Sequence, residues 1–388
     1  MKNNIKKIFF IILTWLICSF ALISCTKNQY KTITIEENNQ EKDIDISPEK
    51  KSIFEINKIY KYDNLKLNEN QLSIEFLIGW FNNENIASVI YQHSSPNNEV
   101  SINEKDYKYS FTNEVIKIDG PRDISLSLDG NKVIYTTEEE ELKIFNKDLN
   151  KNNIITKLDT LYDSITALNW SNNSRYLSFA IDSYSRKTST CYIYDTTNNI
   201  IKKIKLKEFS YFTKLVVSDD GTKGLLTTKD YDPRHSGDVF SLYLIDLDKN
   251  TFSRNEENKL ATLSNEHAKF IDSNKILFIN TQRNSLNLYD LDSKKSIELD
   301  NNVKGFETST DLKNIVYSQV LKQDDIDIYA CNINENTISN KELLYKGFMP
   351  VNIYWSQDNK KILLAGKTNL SSRPDYTDIN EYLTIEFK

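Results

Sequence analysis

Two segments mix arginine, tyrosine and carboxylates in the way recognition surfaces do. One is Asp230-Tyr231-Asp232-Pro233-Arg234-His235-Ser236-Gly237-Asp238, and the other is Ser371-Ser372-Arg373-Pro374-Asp375-Tyr376. Such side chains on loops suit partner contact, which makes Asp232, Arg234, His235, Asp238, Arg373, Asp375 and Tyr376 the candidate partner-binding residues. The competing reading is a pair of solvated turns. Catalytic patterns are scarce: the chain has no Gly-x-Ser-x-Gly elbow, no glycine-rich phosphate loop and no Cys-x-x-Cys pair. Three histidines, His93, His235 and His267, fall in separate stretches, against a histidine metal cluster, and no cofactor is expected. Asp246-Leu247-Asp248-Lys249-Asn250 with Glu257 has some calcium-loop spacing, but Thr251 stands where the sharp-turn glycine belongs. Asx-rich pairs recur at Asn146, Asp290 and Asn332, so a hairpin turn is the simpler reading.

These segments sit within a repeat. A short apolar strand ends in a serine and a polar turn, followed by a second apolar strand, a variable loop and a third strand rich in tyrosine. The clearest copies are Ala167-Leu168-Asn169-Trp170-Ser171-Asn172-Asn173 and Asn352-Ile353-Tyr354-Trp355-Ser356-Gln357-Asp358. Aligned on the serine, seven copies fall at Phe81, Ser127, Ser171, Ser218, Asp272, Ser309 and Ser356. Period-two alternation and Asp-Gly or Asn-Asn turns predict antiparallel strands, and a small sheet of that kind buries its faces only by stacking on others. The fold class is therefore all-β: a β-propeller of four-stranded antiparallel blades, seven of them, with six or eight as alternatives.

The final copy ends after its third strand, and Ile56 to Tyr62 is a suitable fourth, so the ring is expected to close through this N-terminal strand. Loops between second and third strands are long at Gln92 to Asp106, Asp182 to Thr190, Lys229 to Val239 and Lys367 to Asn380, and would raise two lobes around the channel mouth. Innermost strands offer Glu307 and His267 to the channel. Cys191 and Cys331 lie in third strands of copies three and six, too far apart in a seven-membered ring to bridge, and are expected to be buried thiols.

The copies at Trp170 and Trp355 resemble the Trp-Ser-Pro-Asp-Gly type, WD40-like repeat of TolB-like propellers, also found in prolyl oligopeptidases. Proline is absent from the third position of every copy, and Asp129-Gly130 and Asp220-Gly221 keep the Asp-Gly pair. The resemblance implies a propeller fold; the peptidases append an α/β-hydrolase domain with a Gly-x-Ser-x-Gly elbow, a motif that does not occur in this sequence.

At the N-terminus, Lys2, Lys6 and Lys7 precede an apolar run from Ile8 to Ile23 and then Ser24-Cys25. The run is about 16 residues, short of the ~20 that span a bilayer, and has the layout of a signal peptide. Leu22-Ile23-Ser24-Cys25 resembles the bacterial lipobox, which implies a diacylglycerol on the Cys25 thiol, an acylated (palmitate-type) amino terminus and an extracytoplasmic, membrane-held body. Residues 1–24 are thus expected to be a lipoprotein signal peptide, 25–51 the lipidated cysteine and a flexible tether, and 52–388 the propeller. An edge strand at Ile33 to Ile35 is the alternative within the tether. Removing the leader's three lysines takes the formal charge from −6 to −9. A mildly acidic body argues against nucleic acid, which needs clustered Lys and Arg. The expected partners are the membrane, through the lipid, and a protein, peptide or glycan of the envelope bound by a monomer. A propeller-type lyase or glycosidase, using channel carboxylates or a metal, is the alternative.

Overall fold

The computed structural model describes residues 33–34, 52–63, 75–90, 99–100, 116–117, 124–137, 140–149, 151–158, 163–183, 188–207, 212–232, 237–249, 251–253, 256–322, 325–367 and 381–388. Residues 1–34 form a unit of their own, described only as the two-residue strand Ile33–Thr34. The second unit, residues 35–388, is a β-propeller.

Its described strands group into seven four-stranded antiparallel blades. The innermost strands, in chain order, are Glu75–Trp80, Ile124–Leu126, Asp163–Trp170, Phe212–Val217, Lys259–Phe270, Val303–Thr308 and Met349–Trp355. Lys259–Phe270 serves two blades. Its first half pairs with Gly237–Asp246 as the outer strand of blade four, and its second half pairs with Lys275–Asn280 as the inner strand of blade five. The register breaks between Leu263 and Ala268, where the polar stretch Ser264-Asn265-Glu266 lets the strand change partners. Blade three gains a fifth strand, Thr251–Ser253, parallel to Ile200–Lys207.

The ring closes as the sequence implied. Ile56–Asp63 pairs antiparallel with Glu381–Phe387, from Ile56 opposite Phe387 to Asp63 opposite Glu381. Burial follows from blade stacking. Second strands such as Lys361–Lys367 and Lys275–Asn280 are covered on both faces and read as apolar runs, while outer strands such as Lys295–Asp300 stay half-exposed. Every apolar cluster joins adjoining blades: Leu177 and Phe179 meet Ile134 and Leu142 between blades three and two, and Leu277 and Leu288 meet Ile315 and Tyr317 between five and six. Cys191 and Cys331 are unbridged and fully buried in two of these layers; burial pushes the Cys331 thiol up to about 11 and the Cys191 thiol higher still.

The serine of the repeat has one job, repeated. In blades two, three, four, six and seven it is buried and donates to the Asx two residues on: Ser127 to Asp129 (2.5 Å), Ser171 to Asn173 (2.7 Å), Ser218 to Asp220 (2.7 Å), Ser309 to Asp311 (2.6 Å) and Ser356 to Asp358 (2.7 Å). Its oxygen accepts the backbone N–H five residues on, as from Tyr176 to Ser171 and Lys361 to Ser356, both at 2.9 Å. These turns also link blade to blade. Asp129 N–H donates to Ser174 (3.0 Å), Asn173 N–H to Asp219 (2.8 Å), Thr310 N–H to Asn359 (2.8 Å) and Asp358 N–H to Asn83 (2.8 Å), forming a belt along one end of the ring.

The third residue after each serine is left-handed: Gly130, Ser174, Gly221, Leu312 and Asn359 have φ between 57° and 76°. Leucine is the misfit, since a Cβ in this region crowds the backbone by roughly 1–2 kcal/mol. Leu312→Asn, matching Asn359, is expected to stabilise the fold by about 1 kcal/mol and raise the melting temperature by about 2 °C; a thermal melt checks it.

Candidate functional site

The seven inner strands enclose a cavity of about 960 Å³ that runs along the channel. A side pocket of about 180 Å³ shares part of its wall. Leu126, Leu168, Phe306 and Ile353 give the lining an apolar body, and the polar groups are Lys214, Glu266, His267, Lys269, Glu307 and several asparagines. His267 and Lys269 stand two residues apart on Lys259–Phe270 and so share one face of that strand, whereas Glu266 sits in its register break.

Two channel groups are tied together. The Lys269 ammonium pairs with the Glu307 carboxylate, which also accepts the Thr308 N–H at 3.0 Å. The Trp355 indole N–H donates to the Glu307 carbonyl at 3.2 Å, so blade seven fixes the backbone that carries this carboxylate. Asn265 works in a similar way for blade five: its side-chain oxygen accepts the His267 N–H at 3.0 Å and its amide donates to the Lys304 carbonyl at 2.7 Å.

His267 and Lys214 are different. The imidazole lies 6.0 Å from the Phe306 ring, in the space left by Gly305, whose Cβ would stand 3.6 Å from Nε2. Burial, reinforced by the Lys214 charge and opposed by Glu307, lowers its pKa to about 4, so the ring is neutral at neutral pH. Burial also lowers the pKa of Lys214; Glu307 and Glu266 oppose the shift and the like charge of Lys269 adds to it. Among the described residues the Lys214 ammonium has no hydrogen bond or ion pair. Burial, with Tyr382 and Glu307 adding, pushes the Tyr354 phenol above its ordinary range.

The His267 shift has a measurable consequence. Its folded pKa is depressed from 6.5 to about 4, so between those values the unfolded chain binds more protons and stability rises with pH. The contribution is fully present above pH 6.5 and is lost as pH falls toward about 4. Allowing for water in the channel, it amounts to on the order of 2 kcal/mol. His267→Gln should flatten that part of the stability curve, measured as denaturant midpoints from pH 4 to 7 against the parent chain.

Glu307 and His267 thus share the channel wall, as the strand pattern implied. The residues on the two composition-rich loops fare otherwise. Asp232 and Asp238 have a described backbone, within the ladder of Lys223–Asp232 with Gly237–Asp246, but their side chains lie outside the described residues. Arg234, His235, Arg373, Asp375, Tyr376 and Cys25 lie outside them altogether. The stretch expected as a loop from Lys229 to Val239 is ladder over much of its length: Lys229 pairs with Phe240 and Asp232 with Gly237. Thr, Tyr and Val carry the hairpin past the body of the blade, because β-prone residues outweigh the flanking Pro233 and Gly237. Asp182 and Ser183 likewise pair with Ser189 and Thr188.

The Asp246 segment is a turn, with Asp246 accepting the Asp248 N–H at 3.0 Å; Asp290 and Asp195 accept the backbone N–H groups of Ser293 (2.7 Å) and Thr197 (2.9 Å) in the same way. Lys214 and Lys269 escaped the sequence reading, though a lysine directly before the apolar run Leu215-Val216-Val217 of an innermost strand is a signal that could have found the first of them.

No family model matches the chain, and no curated protein matches it. Solved structures do. An oligogalacturonate lyase in complex with manganese is 9% identical, with a TM-score of 0.57 over 92% of this chain and 96% of that one. The oligogalacturonate lyase of Vibrio parahaemolyticus is 9% identical, with a TM-score of 0.54 over 92% and 97%. TolB of Acinetobacter baumannii is 13% identical, with a TM-score of 0.42 over 81% and 79%. At these identities the likeness to the two lyases is one of fold: the described residues between 52 and 388 have a β-propeller architecture.

Proposed function

We propose that this chain is a lipid-anchored, extracytoplasmic binding protein. Cys25 carries the lipid, residues 26–51 form the tether, and the propeller presents its channel mouth and flanking loops to a protein, peptide or glycan partner in the envelope. The observation that supports the reading is the channel cavity, concave, largely apolar and supplied with a few convergent polar groups, which is the usual make-up of a ligand site. Asp232, Arg234, His235, Asp238, Arg373, Asp375 and Tyr376 are the proposed rim contacts. The test uses the full chain in detergent against envelope extracts and glycan arrays. Joint alanine replacement of Arg234, His235, Arg373 and Tyr376 should weaken capture at an unchanged melt, and unaltered capture would refute the rim assignment. Cys25→Ser should move the protein out of the membrane fraction.

A second reading, a carbohydrate lyase, draws on the fold shared with oligogalacturonate lyases. The neutral His267 imidazole is the group able to take a proton there. The manganese of the solved complex does not fit the described residues, where no three His, Cys, Asp or Glu side chains stand together and Lys214 sets a positive charge beside His267; no step is routed through a metal. Incubation with oligogalacturonate, followed by the ultraviolet absorbance of an unsaturated product, separates the two readings.

A further inference from the structure

The channel holds more positive than negative charge in a chain that is acidic overall. Lys214, Lys269, Lys304 and Lys367 line it against Glu266 and Glu307. One of those carboxylates, Glu307, is already committed to Lys269. Lys214 is left as an ammonium without a hydrogen bond or ion pair among the described residues, on the wall of both the large cavity and the 180 Å³ side pocket. Glu307 and Glu266 act on this charge only from a distance, and a recessed ammonium that no group hydrogen-bonds costs stability, so that packing alone would favour an apolar side chain there. That cost is characteristic of a site arranged for a ligand that brings the missing charge.

We infer that Lys214 anchors the carboxylate of a small organic acid, or of an acidic group projecting from a larger ligand, within the side pocket of the channel. The pocket suits the assignment: about 180 Å³ admits an acid of a few carbons, Leu126, Leu168 and Phe306 take its apolar body, and Asn169 offers a hydrogen bond. His267 is the neutral neighbour, able to donate or accept one further hydrogen bond without adding charge. The inference deepens the binding reading above and rests on it.

The experiment uses matched probes, succinate against succinamide and propionate against propionamide, which differ in charge and little in size. The full chain in detergent is reductively methylated with carbon-13 formaldehyde, and the Lys214 resonance, assigned through Lys214→Met, is followed as each probe is added. The carboxylates should shift that resonance saturably and the amides should not. Lys214→Met should bind succinate at least tenfold more weakly by calorimetry while melting at the same temperature as the parent or higher. A fall in melting temperature with unchanged succinate affinity would mean that Lys214 is structural and overturn the inference. Equal shifts from acids and amides would overturn the carboxylate assignment and leave the binding reading standing. Absence of any shift would overturn the anchor, and the envelope capture assay then decides the binding reading separately. Separate signals from succinate and propionate distinguish a site for a free diacid from one for any single carboxylate.

Discussion

Deleting residues 52–63 is expected to abolish cooperative unfolding. Within this segment the strand Ile56–Asp63 pairs with Glu381–Phe387 and joins residues more than 300 positions apart in sequence. Its contribution is not only the ladder to Glu381–Phe387. Phe54 is buried and meets the Phe387 ring edge-on at 5.6 Å, and Tyr60 is buried in the cluster shared by blades seven, one and two. Lys388 donates its backbone N–H to the Glu55 carbonyl at 2.9 Å, Lys61 pairs with Glu381 at 3.1 Å, and Ile53 donates its N–H to the Glu342 carboxylate of blade six at 2.9 Å. Burying two aromatic side chains contributes about 2 to 3 kcal/mol each, and the half-buried Ile56 and Ile59 add to this. The total is on the order of 5 kcal/mol, comparable with the whole stability of many domains.

Without the strand, Leu383 and Ile385, now fully buried, would stand at an open sheet edge. A broad, low-amplitude calorimetric transition is expected, restored toward the parent melt by a synthetic peptide of residues 52–63 added in excess. A sharp transition within a few degrees of the parent would show that the remaining contacts of blade seven close the ring unaided.

The repeat frame was legible because its information is local. A serine, an Asx two residues later and a backbone N–H five residues on form one turn, so Ser127, Ser171, Ser218, Ser309 and Ser356 mark the blades without any long-range knowledge. The closing strand was legible for a different reason. Ile56 to Tyr62 carries strand-forming Ile and Tyr residues, and it pairs with Glu381–Phe387. The channel chemistry was only half visible. Glu307 and His267 could be placed on inner strands, but the meeting of Lys214, His267 and Glu307 from blades four, five and six depends on how far the ring turns between blades, which no local spacing encodes. The double role of Lys259–Phe270 was hidden by Ser264-Asn265-Glu266, which reads as a turn and is instead the kink where one strand passes between two sheets. The hairpin beyond Lys229 was hidden by the polar run Lys229-Asp230, which pairs with Phe240 and Val239 all the same.

Gly130→Ala is expected to be the most damaging single exchange in the turn belt, at about 3 kcal/mol or more. Conformation alone does not explain this. The same left-handed position is held by Ser174, Leu312 and Asn359 in other blades, so side chains are tolerated there at modest strain. What differs is the neighbour. A Cβ on Gly130 would lie 2.3 Å from the Phe81 carbonyl oxygen and 2.6 Å from the Gln357 side-chain nitrogen. Neither can step aside easily: the Phe81 N–H donates to the Asn85 carbonyl at 2.8 Å, and Gln357 donates to the Trp80 carbonyl at 2.7 Å. Gly130 therefore sits where the turns of blades seven, one and two converge, and a methyl group there must move backbone. Gly221 meets a softer obstacle, the end of the Tyr176 ring, at 2.5 Å. Gly221→Ala should cost less, about 1 to 2 kcal/mol, and Ser174→Gly, which relieves strain but removes the hydrogen bond to Asp129, should be close to neutral. Denaturant midpoints for the three variants should fall in that order. Equal losses at Gly130 and Gly221 would mean that left-handed strain, and not the junction of three blades, makes glycine necessary. Because Trp80, Ser127 and Leu128 line the channel beside this junction, Gly130→Ala should also weaken whatever the cavity binds, while Gly221→Ala, away from the channel lining, should not.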